Sequence, residues 1–144
     1  MKMEYTAEVL RGWPADGAMD RNETIKAGVT LSNGDVVEMQ SDGTVDKVGT
    51  GASSNKVGLV IRGNGDSTSS VNSNKAVVLW SNYIVRVKNY GTGTWVPGAA
   101  VSAGGASNGG KFHVDAGSDP LVGFCVKVQT ASATEDAHVV IVVR

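Results

Sequence analysis

Residues 29–61 read VTLSNGDVVEMQSDGTVDKVGTGASSNKVGLVI, and short β-branched runs alternate there with turn dipeptides. Asn33-Gly34 is a hairpin-type turn ahead of Val36 and Val37, and Asp42-Gly43 is a second turn ahead of Val45. Residues 49–55 form a loop of small and polar side chains, and 57–61 are an apolar run. A few β-branched residues bounded by turn chemistry is how a strand reads. Val37 and Met39 fall on one face and Glu38 and Gln40 on the other, the alternation of a half-buried strand.

Farther along, the same plan returns. Gly34-Asp35-Val36-Val37 answers to Gly98-Ala99-Ala100-Val101, Gly43-Thr44-Val45 to Gly110-Lys111-Phe112, and Val57-Gly58-Leu59-Val60-Ile61 to Val122-Gly123-Phe124-Cys125-Val126. The copies agree in facing as well as spacing: Val57, Leu59 and Ile61 alternate with Gly58, Val60 and Arg62 as Val122, Phe124 and Val126 do with Gly123, Cys125 and Lys127. One more apolar strand follows each copy, at 76–80 and 138–143. This predicts two similar four-strand units, about 28–80 and 94–143, within one all-β domain spanning 26–144. Between the units, Val85 and Val87 alternate with Arg86 and Lys88 after a turn at Asn82. The last strand is apolar enough that it belongs in the middle of a sheet or under cover.

Composition narrows the function classes. The 144 residues suit one domain, long enough to bury about two thirds of its unfolded surface without a disulfide or metal. Thirteen Lys and Arg against fourteen Asp and Glu, with no basic run, speak against a nucleic-acid partner. The single cysteine, Cys125, forms no bridge within the chain, and residues 1–5 lack an apolar export segment, so synthesis in a reducing compartment is expected. No apolar run nears the roughly 20 residues of a membrane span, and none shows helical periodicity. A soluble chain without a membrane partner and with almost no helix is the expectation.

Residues 1–25 stand outside the repeated plan. After two early methionines, Tyr5, Val9, Leu10 and Trp13 are large groups ahead of the polar run 15–21. Two readings are open: residues 2–10 as an edge strand with Trp13 folded back over the core, or an arm that carries these four residues onto a partner.

Other candidates for chemistry are weaker. Arg62-Gly63-Asn64-Gly65-Asp66 follows a strand as a dinucleotide loop does, but the third glycine and the helix are missing. His113 and His138, joined by Asp46 or Asp115, could bind a metal, yet neither has a partner at ligand spacing, and histidines on strand surfaces are the expectation. Cys125 reads as a packed thiol. Asp residues beside Gly or Asn read as turn residues, not a calcium loop. Trp80, Tyr83, Tyr90 and Trp95 could form a stacking platform for sugar rings, or bury their rings at the ends of a small barrel. No catalytic residue, cofactor or metal is expected, and a hydrolase fails for want of a nucleophile with a base.

The plan of G-D-V-V at 34–37, D-G-T-V at 42–45 and V-G-L-V at 57–60 resembles that of the small capsid decoration, or cement, proteins of tailed bacteriophages. Gly98-Ala99 lacks the Asp of that plan, and residues 1–25 carry no motif of the family. The resemblance implies a small β-barrel or β-tulip-like domain, with a β-sandwich as the other form an all-β chain of this kind takes, made in the bacterial cytoplasm and added to the outside of the mature head. There it would join neighbouring major capsid protein subunits, often as a homo-oligomer, trimer or dimer. Tyr5, Val9, Leu10 and Trp13 are then the expected contacts with the neighbour. The alternative from another class is a carbohydrate- or receptor-binding β domain of a tail fibre or spike.

Overall fold

Turn residues set the strand boundaries. Gly34 and Gly98 both adopt positive φ (94° and 90°), as do Gly43 and Gly110 (83° and 68°), so the turns that open each unit form the same way. Asn82 adopts the left-handed conformation (φ 57°) at the hairpin turn where its residue type placed it.

The computed structural model describes residues 5–11, 19–49, 55–66, 74–105, 107–115, 117 and 119–144. The loop residues 50–54 and 67–73 lie outside these. Eleven strands are described: β1 (Ala7–Arg11), β2 (Met19–Thr24), β3 (Val36–Met39), β4 (Val45–Lys47), β5 (Val57–Arg62), β6 (Lys75–Ser81), β7 (Tyr83–Val87), β8 (Ala100–Ala103), β9 (Phe112–Val114), β10 (Gly123–Gln129) and β11 (His138–Val143). They form two antiparallel sheets, in the orders β2-β6-β5-β3-β4 and β1-β7-β11-β10-β8-β9. The apolar β11 lies between β7 and β10, as its composition required. Of the barrel and sandwich forms open from sequence, the sheets form the sandwich.

The two sheets are copies of one another in register. Val37 pairs Gly58 as Val101 pairs Gly123, and Val36 pairs Leu59 as Ala100 pairs Phe124. The Glu38–Asp46 pair returns as Ser102–His113. A β-bulge interrupts the β5–β6 ladder between Val60 and Arg62 and the β10–β11 ladder between Cys125 and Lys127, at matching places. The unit is larger than sequence alone indicated: β2 precedes the first copy and β7 the second, each pairing with its unit's last strand. A backbone bond then ties the end of that leading strand to the far edge of the sheet, Lys26 N to Val45 O (3.0 Å) in one unit and Gly91 N to Phe112 O (2.7 Å) in the other. Each sheet is thereby curled and pinned. The strand β1 is an addition at the β7 edge.

The units do not pack back to back. In the first sheet Val37, Val45, Val60, Ala76, Val78 and Trp80 form one core with Ile25 and Leu31 of the same unit. Their counterparts in the second sheet, including Val101, Phe112, Cys125, Val139 and Ile141, lie instead on Val36, Val48, Val57, Leu59 and Leu79, the back of the first sheet. The second unit thus stacks on the first in the same sense. Each Val, Leu or Ile so buried contributes about 1.5–3 kcal/mol. The first sheet is consequently buried on both faces, which is why Val36 and Val37, on opposite sides of β3, are both inaccessible (1% and 0% exposed). The half-buried strand read at 36–39 is corrected in this respect.

Candidate partner-binding surface

The four N-terminal residues meet different fates. Over 7–11 the chain is an edge strand of its own sheet, with Ala7 opposite Val87 and Val9 opposite Val85. Ala7 is buried and Val9 packs against the larger core, so Val9 is committed to the fold. Ala7 N also donates to Asn33 Oδ1 of the first unit (3.0 Å), so β1 ties the two sheets together. Tyr5 and Leu10 remain outside, 58% and 42% exposed. Leu10 falls at the irregularity between Val9 and Arg11, where the ladder breaks step. Trp13 lies outside the described residues.

Both histidines are buried, 5% and 1% exposed, where surface positions had been expected. His113 Nε2 lies 3.0 Å from Asp119 Oδ2, and the Asp115 carboxylate accepts from Gly117 N and Asp119 N (3.0 Å each), which shapes the loop that delivers Asp119. His138 Nδ1 lies 3.1 Å from Asp136 O. The two rings sit on different strands with different partners, and Asp46 is engaged by Lys26 (3.5 Å). Among the described residues no group of three or more His, Cys, Asp or Glu is placed to hold a metal ion.

The β8–β9 register sets Ser102 directly beside His113, a neighbourhood that motif spacing does not reveal. Ser102 Oγ and His113 Nδ1 are both buried and without a hydrogen-bond partner. Serine, histidine and aspartate are the residue types of a hydrolytic triad. Here the bond from hydroxyl to imidazole that activates such a nucleophile is not made, and Ser102 is fully inaccessible.

A buried carboxylate also escaped the sequence reading. Glu23 on β2 is 4% exposed and accepts from Trp80 Nε1 and Arg21 Nε, both at 3.1 Å. Trp80 thereby closes the first unit's inner core, lying over Gly58, where a Cβ would stand 2.5 Å from Val78 Cγ1 and 2.8 Å from the Trp80 ring.

The sugar platform does not form. Trp80 and Tyr83 are buried (4% and 2% exposed), whereas Tyr90 and Trp95 meet edge-on with centroids 5.4 Å apart and pack against the larger core. Burial pushes the Tyr83 phenol far above its ordinary range. Cys125 is inaccessible, its Sγ 3.5 Å from Lys127 O, and burial pushes the thiol up. The glycine-rich 62–66 segment is a clasp: Asn64 Oδ1 accepts from Leu31 N (2.8 Å), and the Asp66 carboxylate accepts from Gly63 N (2.7 Å) and Asn33 N (3.1 Å). Among the described residues no helix is long and apolar enough to cross a membrane. No family model matches the chain, and no curated protein matches its sequence.

Proposed function

We propose that this chain is a capsid decoration protein, one that binds the outer surface of an expanded phage head and joins neighbouring major capsid protein subunits. The observation that carries the proposal is the turn-and-strand plan of 34–37, 42–45 and 57–60, which resembles the plan of those proteins and which the chain repeats in register. Support also comes from Tyr5 and Leu10, large apolar groups exposed on and beside an edge strand. The work is mechanical. A site shared by two capsid subunits exists only in the expanded lattice, so binding stabilises that lattice by mass action. Many copies, and any self-association, add avidity to modest contacts.

The test is co-sedimentation of the purified chain with tailed-phage heads assembled without it, before and after expansion. Binding to expanded heads alone supports the proposal. Equal binding to both, or to neither, overturns it.

A further inference from the structure

In the first unit Val36, Leu59 and Leu79 form a row across β3, β5 and β6, buried to 1%, 1% and 2% exposure because the second unit lies on them. By register the same places in the second unit belong to Ala100, Phe124 and Val142. These three are only partly buried and belong to neither core. Ile84 continues the row onto β7 and Arg11 onto β1. The adjacent row across the same face runs Glu8, Arg86, Val140 and Lys127, with Arg86 paired to Glu8 (3.3 Å) and Val140 buried at 6% exposure. Arg144 sets its guanidinium 6.0 Å over the Phe124 ring. The seat that the first unit offers to the second is therefore repeated on the second unit, where among the described residues neither core covers it.

Its chemistry names the occupant. The apolar strip is bordered by Lys127 and Arg144, and by Arg86, whose guanidinium is already paired with Glu8 (3.3 Å), on a chain whose net charge is −1. A second copy laid face to face would set these cations against one another. Nor can a second copy continue the stack, because the inner face of its first unit is already filled by Trp80, Leu31 and Ile25.

We infer that the outer face of the second sheet, centred on Phe124 and Val142, docks a different protein whose contact surface has an apolar centre bordered by carboxylates. Identifying that protein as the capsid shell rests on the decoration reading; the face itself does not.

The first probe is anilinonaphthalene sulfonate, an apolar dye with one anionic group, titrated into the folded 15N-labelled chain. Binding is expected to shift the amide signals of Ile84, Phe124, Val142 and Arg144. Phe124→Asp, and separately the pair Lys127→Glu and Arg144→Glu, should weaken it at least tenfold with the thermal midpoint little changed, while Lys56→Glu in the first unit leaves it unaltered. No binding, shifts confined elsewhere, or self-association in sedimentation that Phe124→Asp abolishes would each overturn the inference. The second probe is expanded heads. Variants that decorate as well as the parent chain would sink the face as anchor and leave the decoration reading standing. A parent chain that ignores heads yet takes the dye at Phe124 would do the reverse.

Discussion

Gly58 and Gly123 occupy the same place in the repeat for unlike reasons. A Cβ at Gly58 would press on Val78 and the Trp80 ring, whereas at Gly123 it would meet the backbone oxygen of Val142. Gly58→Ala should therefore destabilise by about 1–3 kcal/mol through overpacking, and Gly123→Ala by at least as much, since a backbone oxygen yields less readily than a side chain. Urea midpoints at constant slope check both. Glu23→Ala strands the buried Trp80 N–H and should lose about 1–3 kcal/mol, while Glu23→Gln keeps an acceptor and should lose less. Cys125 and Tyr83 make stability fall in alkali. Each is held protonated by burial, above ordinary values of 9.0 and 10.0, so the stabilisation is complete below those values and declines as pH rises through them. Denaturation midpoints followed from neutral pH upward should show this decline, with Cys125→Ala removing its earlier part and Tyr83→Phe its later part.

For the strands, the turns were legible and the environments were not. Asn33-Gly34, Asp42-Gly43 and Asn82 announced their own backbone conformations, and from them the strand limits and the repeated register followed. Phe124 shows where local pattern runs out. It occupies the place of buried Leu59, yet it looks outward, because what covers a face is decided by the other unit and not by neighbours in the chain. His113 is a local case instead: its partner Asp119 lies six positions on and donates its own N–H to the Asp115 carboxylate. Trp80 concealed its partner because Glu23 lies fifty-seven positions away. The strand β1 carries a prediction of its own. Removing residues 1–11 uncovers Val85 and Val87 and deletes the Ala7–Asn33 bond, so the thermal midpoint should drop by several degrees even if the remainder folds. A midpoint that stays put would mean β1 is held only loosely.

At the level of the molecule, the shared core makes one cooperative body of two repeated sheets. Residues 83–144 alone lose the seat provided by Val36, Leu59 and Leu79 and should not fold, whereas 19–81 keep the Trp80-closed core and should retain partial order. Calorimetry on the whole chain should give a single transition with equal calorimetric and van't Hoff enthalpies. Stacking in one direction also abolishes any internal two-fold axis, so the molecule has a front and a back that differ in kind. One is shut by an indole and a carboxylate; the other carries Ala100, Phe124 and Val142, which among the described residues belong to neither core. A partner can therefore meet such a molecule by one side or the other only on unlike terms.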